Sequence, residues 1–125
     1  MIVDTNALSA IVDGDPAIAV VIRKAESLAL TPIVLGEYRF GILQSARKAR
    51  HEEWLEENVR FYRLLDVNAE TSRQYAHVRL ALKKAGRPIP SNDLWIAALC
   101  RQHQLPVLSR DAHFDHVPGL RRLTW

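Results

Sequence analysis

The chain has 125 residues, of which 48% are hydrophobic and 25% charged, and its formal net charge is +3 at pH 7. This length supports one domain with a sizeable core, and the composition excludes a disordered, fibrous or low-complexity chain. Because no apolar run approaches the roughly 20 residues that span a bilayer, and the first residues lack a signal-peptide pattern, we expect a single cytoplasmic domain over residues 1–125.

The predicted elements alternate between short apolar strands and longer helices. Asp15-Pro16 and Thr31-Pro32 each pair an N-cap residue with a first-turn proline, and Asn68 is a further cap candidate. We expect strands at 1–3, 28–30, 64–67, 106–108 and 120–124. Helices are expected from near Ala7, after Pro16, from Thr31 through Leu43, at about 51–63 and from Asn68 to near Gly86. A last helix carries a buried Cys100 and is capped by Ser91 or Asn92. This alternation predicts the α/β class, with a short parallel sheet of about five strands flanked by helices and an order that the pattern does not give.

Three acids lie at predicted strand ends or helix starts. Asp4 follows the first strand, Asp111 follows the strand at 106–108, and Asp93 lies in the first turn of the helix that carries Cys100. Each has an ordinary structural explanation, as a turn residue, an N-cap or an acid stabilised by a helix dipole. In open α/β sheets, however, ligands collect outside the carboxyl ends of the strands, where these acids would meet.

A fourth acid, Glu37, lies within the apolar face of its predicted helix, between Ile33 and Phe40 on one side and Val34 and Gly41 on the other. A buried carboxylate without a partner is unfavourable, so Glu37 should reach water, pair with a base or bind a cation. A salt bridge at the helix edge is an equally good explanation. The flanking Gly36 and Gly41 predict close packing near this carboxylate.

If the sheet is parallel, these four acids converge on one cleft. Two carboxylates ~4 Å apart repel by about 4 kcal/mol at an effective dielectric constant of 20, so the group would need a cation. Oxygen ligands without paired Cys or His favour Mg²⁺ or Mn²⁺. Such a site suits hydrolysis of phosphodiesters, whose phosphates would find compensating charge in two basic clusters, Arg47, Lys48 and Arg50, and Arg79, Lys83, Lys84 and Arg87.

The segments IVDTNAL, TPIVLGEYRFGI, IPSNDLWIAAL and LPVLSRDAHFDHVPGL resemble the PIN-domain ribonucleases and, within them, the VapC-type toxins of bacterial toxin-antitoxin pairs. The resemblance spans the chain. It implies a compact α/β fold, an endoribonuclease that cleaves RNA with Mg²⁺ or Mn²⁺, a homodimer and a VapB-type antitoxin partner.

Carried over residue by residue, the family's catalytic, metal-binding acids fall on Asp4, Glu37, Asp93 and Asp111. The family's hydroxyl before the last acid falls on Ser109, and its polar residue after the first acid falls on Asn6. We expect these two to support the site. A further acid four residues after Asp111, Asp115, could replace or support it.

Three other functions remain open at this stage. His113 and His116 could form a zinc site with Asp111 or Asp115, although histidines near a nucleic-acid site more often pack or contact phosphate. The same fold could hold nucleic acid or a protein without cutting it, or could cleave DNA instead of RNA. The sequence contains neither a Gly-rich phosphate loop nor the G-x-S-x-G context of a hydrolase nucleophile.

Overall fold

The fold is built on a parallel sheet of five two-residue strands, in a computed structural model that describes residues 1–125. The strands are β1 (Ile2–Val3), β2 (Ala29–Leu30), β3 (Arg63–Leu64), β4 (Val107–Leu108) and β5 (Arg122–Leu123). Their order is β3-β2-β1-β4-β5, and every neighbouring pair is parallel. The predicted α/β class with a short parallel sheet is confirmed. The structure adds the strand order, which the sequence pattern did not give.

Six helices connect the strands. They are α1 (Thr5–Val12), α2 (Pro16–Ile22), α3 (Pro32–Leu43), α4 (Lys48–Asn58), α5 (Ala69–Lys84) and α6 (Ser91–His103), with 3₁₀ turns at Val59–Phe61 and Ala112–His116. The predicted caps are confirmed at three starts: Asp15 accepts a hydrogen bond from the amide of Ala17, Thr31 from that of Val34, and Asn68 from that of Thr71. No single helix is long and apolar enough to cross a membrane; α1 and α2 meet that criterion of length and composition only as a pair bent by 113°.

The third strand differs from its prediction. The apolar run at 64–67 favoured a strand there, but pairing with β2 places β3 at Arg63–Leu64, where the amide of Arg63 donates to the carbonyl of Leu28. The predicted helix at 51–63 is α4, which begins earlier at Lys48 and passes into a 3₁₀ turn after Asn58. Because β3 is an edge strand with exposed side chains, backbone pairing sets its position and apolar content does not.

The core lies around the two central strands. Ile2, Val3, Val107 and Leu108 are completely buried, as expected for parallel strands with both faces covered. Helix α6 has the longest buried stretch, from Ile96 to Cys100. The predicted burial of Cys100 is confirmed, and its thiol is free.

Strand order creates a crevice between β1 and β4. From β1 the chain moves to β2 and β3 on one side, whereas β4 leads to β5 on the other. Connections that leave two neighbouring parallel strands in opposite directions open a gap at the carboxyl ends of those strands. Asp4 and Ser109 are the first residues beyond these two strands, so the fold places them at this gap.

Two glycines of α3 do not have the role that the sequence suggested. The predicted close packing at Gly36 and Gly41 is wrong, because a Cβ built on either would meet no heavy atom within 4 Å. Both residues are exposed on the helix surface. Their backbone freedom therefore lowers the stability of α3 without any compensating contact.

We expect Gly36→Ala to raise the free energy of unfolding by about 0.5–1 kcal/mol, because alanine loses less backbone entropy in a helix and has room here. The melting temperature should rise by about 2–5 °C. Gly86→Ala is the matched control: Gly86 also has free space, but its φ of 66° disfavours alanine, so this change should destabilise. Thermal unfolding measures both, and a fall for Gly36→Ala would contradict the assignment.

Candidate metal centre

Asp4 is held at the crevice by two neutral donors. The register pairs Val3 with Leu108, so the next residues, Asp4 and Ser109, lie side by side. Ser109 Oγ donates to Asp4 Oδ2 at 2.7 Å, and Asn6 Nδ2 donates to the same oxygen at 2.9 Å. Asp4 occupies the N-cap position of α1 but makes no side-chain cap bond, so its carboxylate serves the crevice and not the helix.

Asn6 and Ser109 also fix the loop that carries Asp111. Asn6 Oδ1 accepts the backbone amide of Arg110 at 3.1 Å, and Ser109 Oγ accepts the amide of Asp111 at 2.9 Å. These bonds connect Asn6 with the backbone of Arg110, and Ser109 with the backbone of Asp111. The predicted supporting positions therefore contact the acids that they were expected to support.

Glu37 reaches the crevice from α3. Its Oε2 accepts a hydrogen bond from Thr5 Oγ1 at 2.6 Å, and its Oε1 accepts one from Asn92 Nδ2. Thr5 adjoins Asp4 and Asn92 adjoins Asp93, so the two donors tie Glu37 to both neighbouring acids. No ion pair includes Glu37, and the helix-edge salt bridge considered above is therefore wrong.

Asp93 and Asp111 meet at a histidine. His113 Nδ1 lies 3.3 Å from Asp93 Oδ2 and 3.0 Å from Asp111 Oδ1. One donor atom from each of these three residues lies within 4.8 Å of the other two, a spacing that one metal ion could bridge. The His113 amide also donates to Asp111 Oδ1 at 2.9 Å, which orients that carboxylate. We call the group Asp4, Glu37, Asp93 and Asp111 the acidic cleft.

Burial and the charges of neighbouring acids both raise the pKa values of Asp4 and Asp93. Burial, followed by the charges of Asp111 and Asp4, raises the pKa of Asp93 to about 6. Burial also raises the pKa of Asp4, and the charges of Glu37 and Asp111 add to that rise, while the bond from Ser109 opposes it. Burial and mutual repulsion therefore disfavour the charged forms of Asp4 and Asp93.

The fifth acid considered, Asp115, has a different partner. Arg122 Nε and Nη2 donate to its two carboxylate oxygens at 2.8 and 2.7 Å, and these bonds hold the pKa of Asp115 below its ordinary value. Arg122 Nη1 also donates to the Ser109 carbonyl at 3.1 Å. The carboxylate of Asp115 therefore lies outside the cluster of Asp93, Asp111 and His113, and its contact with the site runs through Arg122, which binds the Ser109 carbonyl.

The two histidines of the zinc alternative point to different groups. His113 contacts Asp93 and Asp111, whereas His116 Nδ1 lies 3.2 Å from Arg87 Nη1. A histidine beside a guanidinium is a poor cation ligand. Four carboxylates and at most one imidazole remain, a donor set that fits a hard divalent ion such as Mg²⁺ or Mn²⁺ better than zinc.

Two functional positions escaped the sequence reasoning. Asn92 was a candidate cap for α6, but Pro90 occupies the N-cap position and Asn92 binds Glu37 instead. Thr5 had no assigned role, yet its hydroxyl donates to the other carboxylate oxygen of Glu37. Asn92 adjoins Asp93 and Thr5 adjoins Asp4, and this adjacency was the signal available in the sequence. Only the packing of α3 near α1 and α6 brings both side chains to Glu37.

In EDTA, we expect Asp4→Asn to raise the free energy of unfolding at pH 7, because burial and the charges of Glu37 and Asp111 disfavour the Asp4 carboxylate in the fold and an amide carries no charge. One amide oxygen can accept both bonds that Asp4 Oδ2 accepts. Because the pKa values of Asp4 and Asp93 are raised in the fold, the contribution of these two acids to stability should be fully present below pH 3.8 and decline as pH rises to about 6.

Urea unfolding at pH 4 and pH 7 measures this effect, and the gain for Asp4→Asn should shrink at the lower pH. Glu26→Gln is the control, because Glu26 is exposed beside Ser27, whose carbonyl binds the amino terminus at the opposite edge of the sheet. Equal gains for both variants would mean that crowding in the cleft is not the cause.

The fold and site have counterparts among known proteins. A family model of the PIN domain matches residues 1–120. The fold of this chain resembles that of VapBC2 from Rickettsia felis bound to a DNA fragment from their promoter, with a TM-score of 0.89 at 22% identity over 99% of this chain and 97% of that chain. VapBC-5 from Mycobacterium tuberculosis gives a TM-score of 0.69 at 26% identity over 98% and 94%.

Two relatives in sequence are proteins of Mycobacterium tuberculosis. Ribonuclease VapC5 is 33% identical over 96 residues, which cover 75% of this chain and 71% of the relative. Ribonuclease VapC4 is 30% identical over 95 residues, 74% of this chain and 72% of the relative. The chain therefore belongs to the PIN domain family and, within it, to the VapC ribonucleases, as its motifs predicted.

Proposed function

We propose that this chain is a metal-dependent endoribonuclease and acts as the toxin of a toxin-antitoxin pair. One observation carries the proposal: four carboxylates from α3, α6 and the ends of β1 and β4 share one crevice, held by neutral donors and by one histidine. That arrangement favours cation binding, because the carboxylates repel one another unless a cation lies between them. The relatives that are named ribonucleases favour RNA as the substrate.

Asp4, Glu37, Asp93 and Asp111 would hold Mg²⁺ or Mn²⁺. A cation bound there supplies a Lewis acid that polarises a phosphoryl oxygen and lowers the pKa of an attacking water. The carboxylates accept no bond from lysine or arginine, so their charge stays available to the ion. Ser109 and Asn6 orient Asp4, whereas Thr5 and Asn92 orient Glu37.

His113 is placed to act on the substrate. Its ring is about half exposed and lies at the outer side of Asp93 and Asp111. From there it can donate a hydrogen bond to a phosphate oxygen as RNA enters. Its contact with both acids holds the ring in place before substrate arrives.

A protein partner is part of the proposal. Phe40, Leu43 and Phe61 are 63%, 63% and 70% exposed, which is unusual for large apolar side chains in a chain that stays alone. VapBC complexes from several bacteria have this fold. We therefore infer a homodimer and a VapB-type antitoxin that inhibits by placing a basic side chain against the acidic cleft.

Purified protein should cleave RNA in Mg²⁺ or Mn²⁺ and lose that activity in EDTA. Asp93→Asn should lower the cleavage rate by about 100-fold or more, because cation catalysis contributes several kcal/mol and each 1.36 kcal/mol is tenfold in rate. Gel assays with structured RNAs, and with DNA of the same sequence, measure this.

Asp66→Asn is the control for that experiment, because Asp66 is exposed and follows the edge strand β3. Equal cleavage in Mg²⁺ and EDTA would refute the proposal. RNA binding without cleavage in any divalent ion would instead identify a binding module, and preferential cleavage of DNA would identify a deoxyribonuclease.

Titration of metal-free protein with Mn²⁺ tests the ligand set. Glu37→Gln and Asp111→Asn should weaken binding by about 10-fold or more, since even outer partners of metal ligands contribute 10- to 100-fold. Asp115→Asn should change it by less than about 3-fold, because Asp115 pairs with Arg122. Calorimetry gives the affinities. If Asp115→Asn abolished Mn²⁺ binding while Asp111→Asn did not, Asp115 and not Asp111 would be the ligand. A large drop in the melting temperature of metal-free Glu37→Gln protein would show that Glu37 has a structural role.

A further inference from the structure

A second cavity lies beside the acidic cleft, between α5, the loop that follows it and the start of α6. Its volume is about 660 Å³. Eight residues line it, and we call it the Arg79 groove. Two of the eight are cations, Arg79 and Lys83, and none is an acid.

The cations of the Arg79 groove have no anionic partner. Arg39, Arg73, Arg110 and Arg122 all form ion pairs elsewhere in the chain, but neither Arg79 nor Lys83 does. Arg79 Nη1 donates to the phenolic oxygen of Tyr75 at 3.3 Å, and the guanidinium lies over the Tyr75 ring, 6.0 Å from its centroid. Two uncompensated cations one helical turn apart attract an anion into the groove.

The rest of the Arg79 groove is apolar and aromatic. Leu82, Ile89 and Leu94 are buried side chains that form part of its wall. Tyr75 is held in position by Trp95, whose ring stacks on it with centroids 4.1 Å apart. Cations beside a rigid aromatic and apolar wall are the combination that proteins use to hold single-stranded nucleotides, with phosphate on the cations and the base against the wall.

The Arg79 groove is connected to the acidic cleft by two short segments. Ser91 lines the groove, Asn92 binds Glu37, and Asp93 belongs to the cleft, so three consecutive residues join the two sites. On the other side, the loop before α6 supplies Pro88 to the groove while the adjacent Arg87 contacts His116, three residues from His113. A strand leaving the cleft over the start of α6 would enter the groove.

We propose that the Arg79 groove binds a single-stranded nucleotide of the RNA next to the bond that is cut, with phosphate on Arg79 and Lys83 and the base against Pro88, Ile89 and the edge of Tyr75. The proposal rests on the proposed function, whose acids cut the strand that the groove holds. The groove thereby favours unpaired over duplex RNA, since its apolar wall contacts a base whose faces are exposed only in a single strand.

The test measures binding and not cleavage. A fluorescein-labelled, single-stranded oligoribonucleotide of 12 nucleotides and mixed sequence is titrated into Asp4→Asn protein, followed by fluorescence anisotropy at several salt concentrations. Arg79→Ala with Lys83→Ala should weaken binding by about 10- to 30-fold at 0.1 M salt. The dependence of log affinity on log salt should become shallower by about 1.4, the contribution of two phosphate contacts on a single strand.

Arg23→Ala with Lys24→Ala is the matched control. It removes the same charge from two exposed residues that form no ion pair, at the opposite edge of the sheet, where Lys24 and Met1 line another cavity. Equal weakening by both pairs, or no measurable binding by the Asp4→Asn parent, would overturn the groove. Unchanged RNA affinity together with a changed mass in solution would make it an interface between protein copies and would also overturn the proposal.

A second measurement does not depend on these variants folding. RNA containing 4-thiouridine is photo-crosslinked to Asp4→Asn protein, and the modified peptide is identified by mass spectrometry. Crosslinks within residues 75–94 support the groove, and crosslinks confined to other segments refute it. Failure of the proposed function would be seen separately, as RNA that binds here but is not cut by the unsubstituted protein in Mg²⁺.

Discussion

The central constraint of this structure is the crowding of negative charge at the carboxyl edge of a parallel sheet. Asp4 is only 5% exposed, and its immediate donors, Ser109 and Asn6, are neutral. Neutral donors orient a carboxylate without cancelling its charge. The cleft therefore keeps a field that a hard cation can use, at the expense of stability when no cation is bound.

The nearby arginines are kept away from that field by other acids. Arg122 is bound by Asp115, and Arg110 lies 3.4 Å from Asp15 while its guanidinium covers the ring of Trp125 at 4.3 Å. Without these partners, either arginine would be free to turn toward Asp111 and neutralise it. Peripheral ion pairs on an exposed surface add little stability, but here they leave the acids of the cleft without a lysine or arginine partner.

The same division of charge gives the molecule two adjoining surfaces of opposite character. The cleft gathers carboxylates, whereas the Arg79 groove has cations that no acid compensates. A polyanion approaching such a surface is attracted by the groove and meets the carboxylates only where a cation has reversed their sign. The start of α6 joins the two surfaces, so this helix relates the position of a bound strand to the position of Asp93.

The sequence by itself determined the class of fold, most helix starts and the four acids of the cleft. These depend on local rules: a cap followed by proline at Asp15 and Thr31, short apolar runs for buried strands, and acids that follow a strand, begin a helix or interrupt an apolar helix face. Tertiary structure alone decided the strand order, the position of β3, the partners of Glu37 and the pairing of Asp115 with Arg122. Most of those features join residues that are distant in the chain, such as Glu37 and Asn92, which are 55 positions apart, and no local pattern records which side chains will meet when the chain folds. The open space around Gly36 escaped prediction for the same reason, since a helix does not reveal in its own sequence which of its faces will be covered.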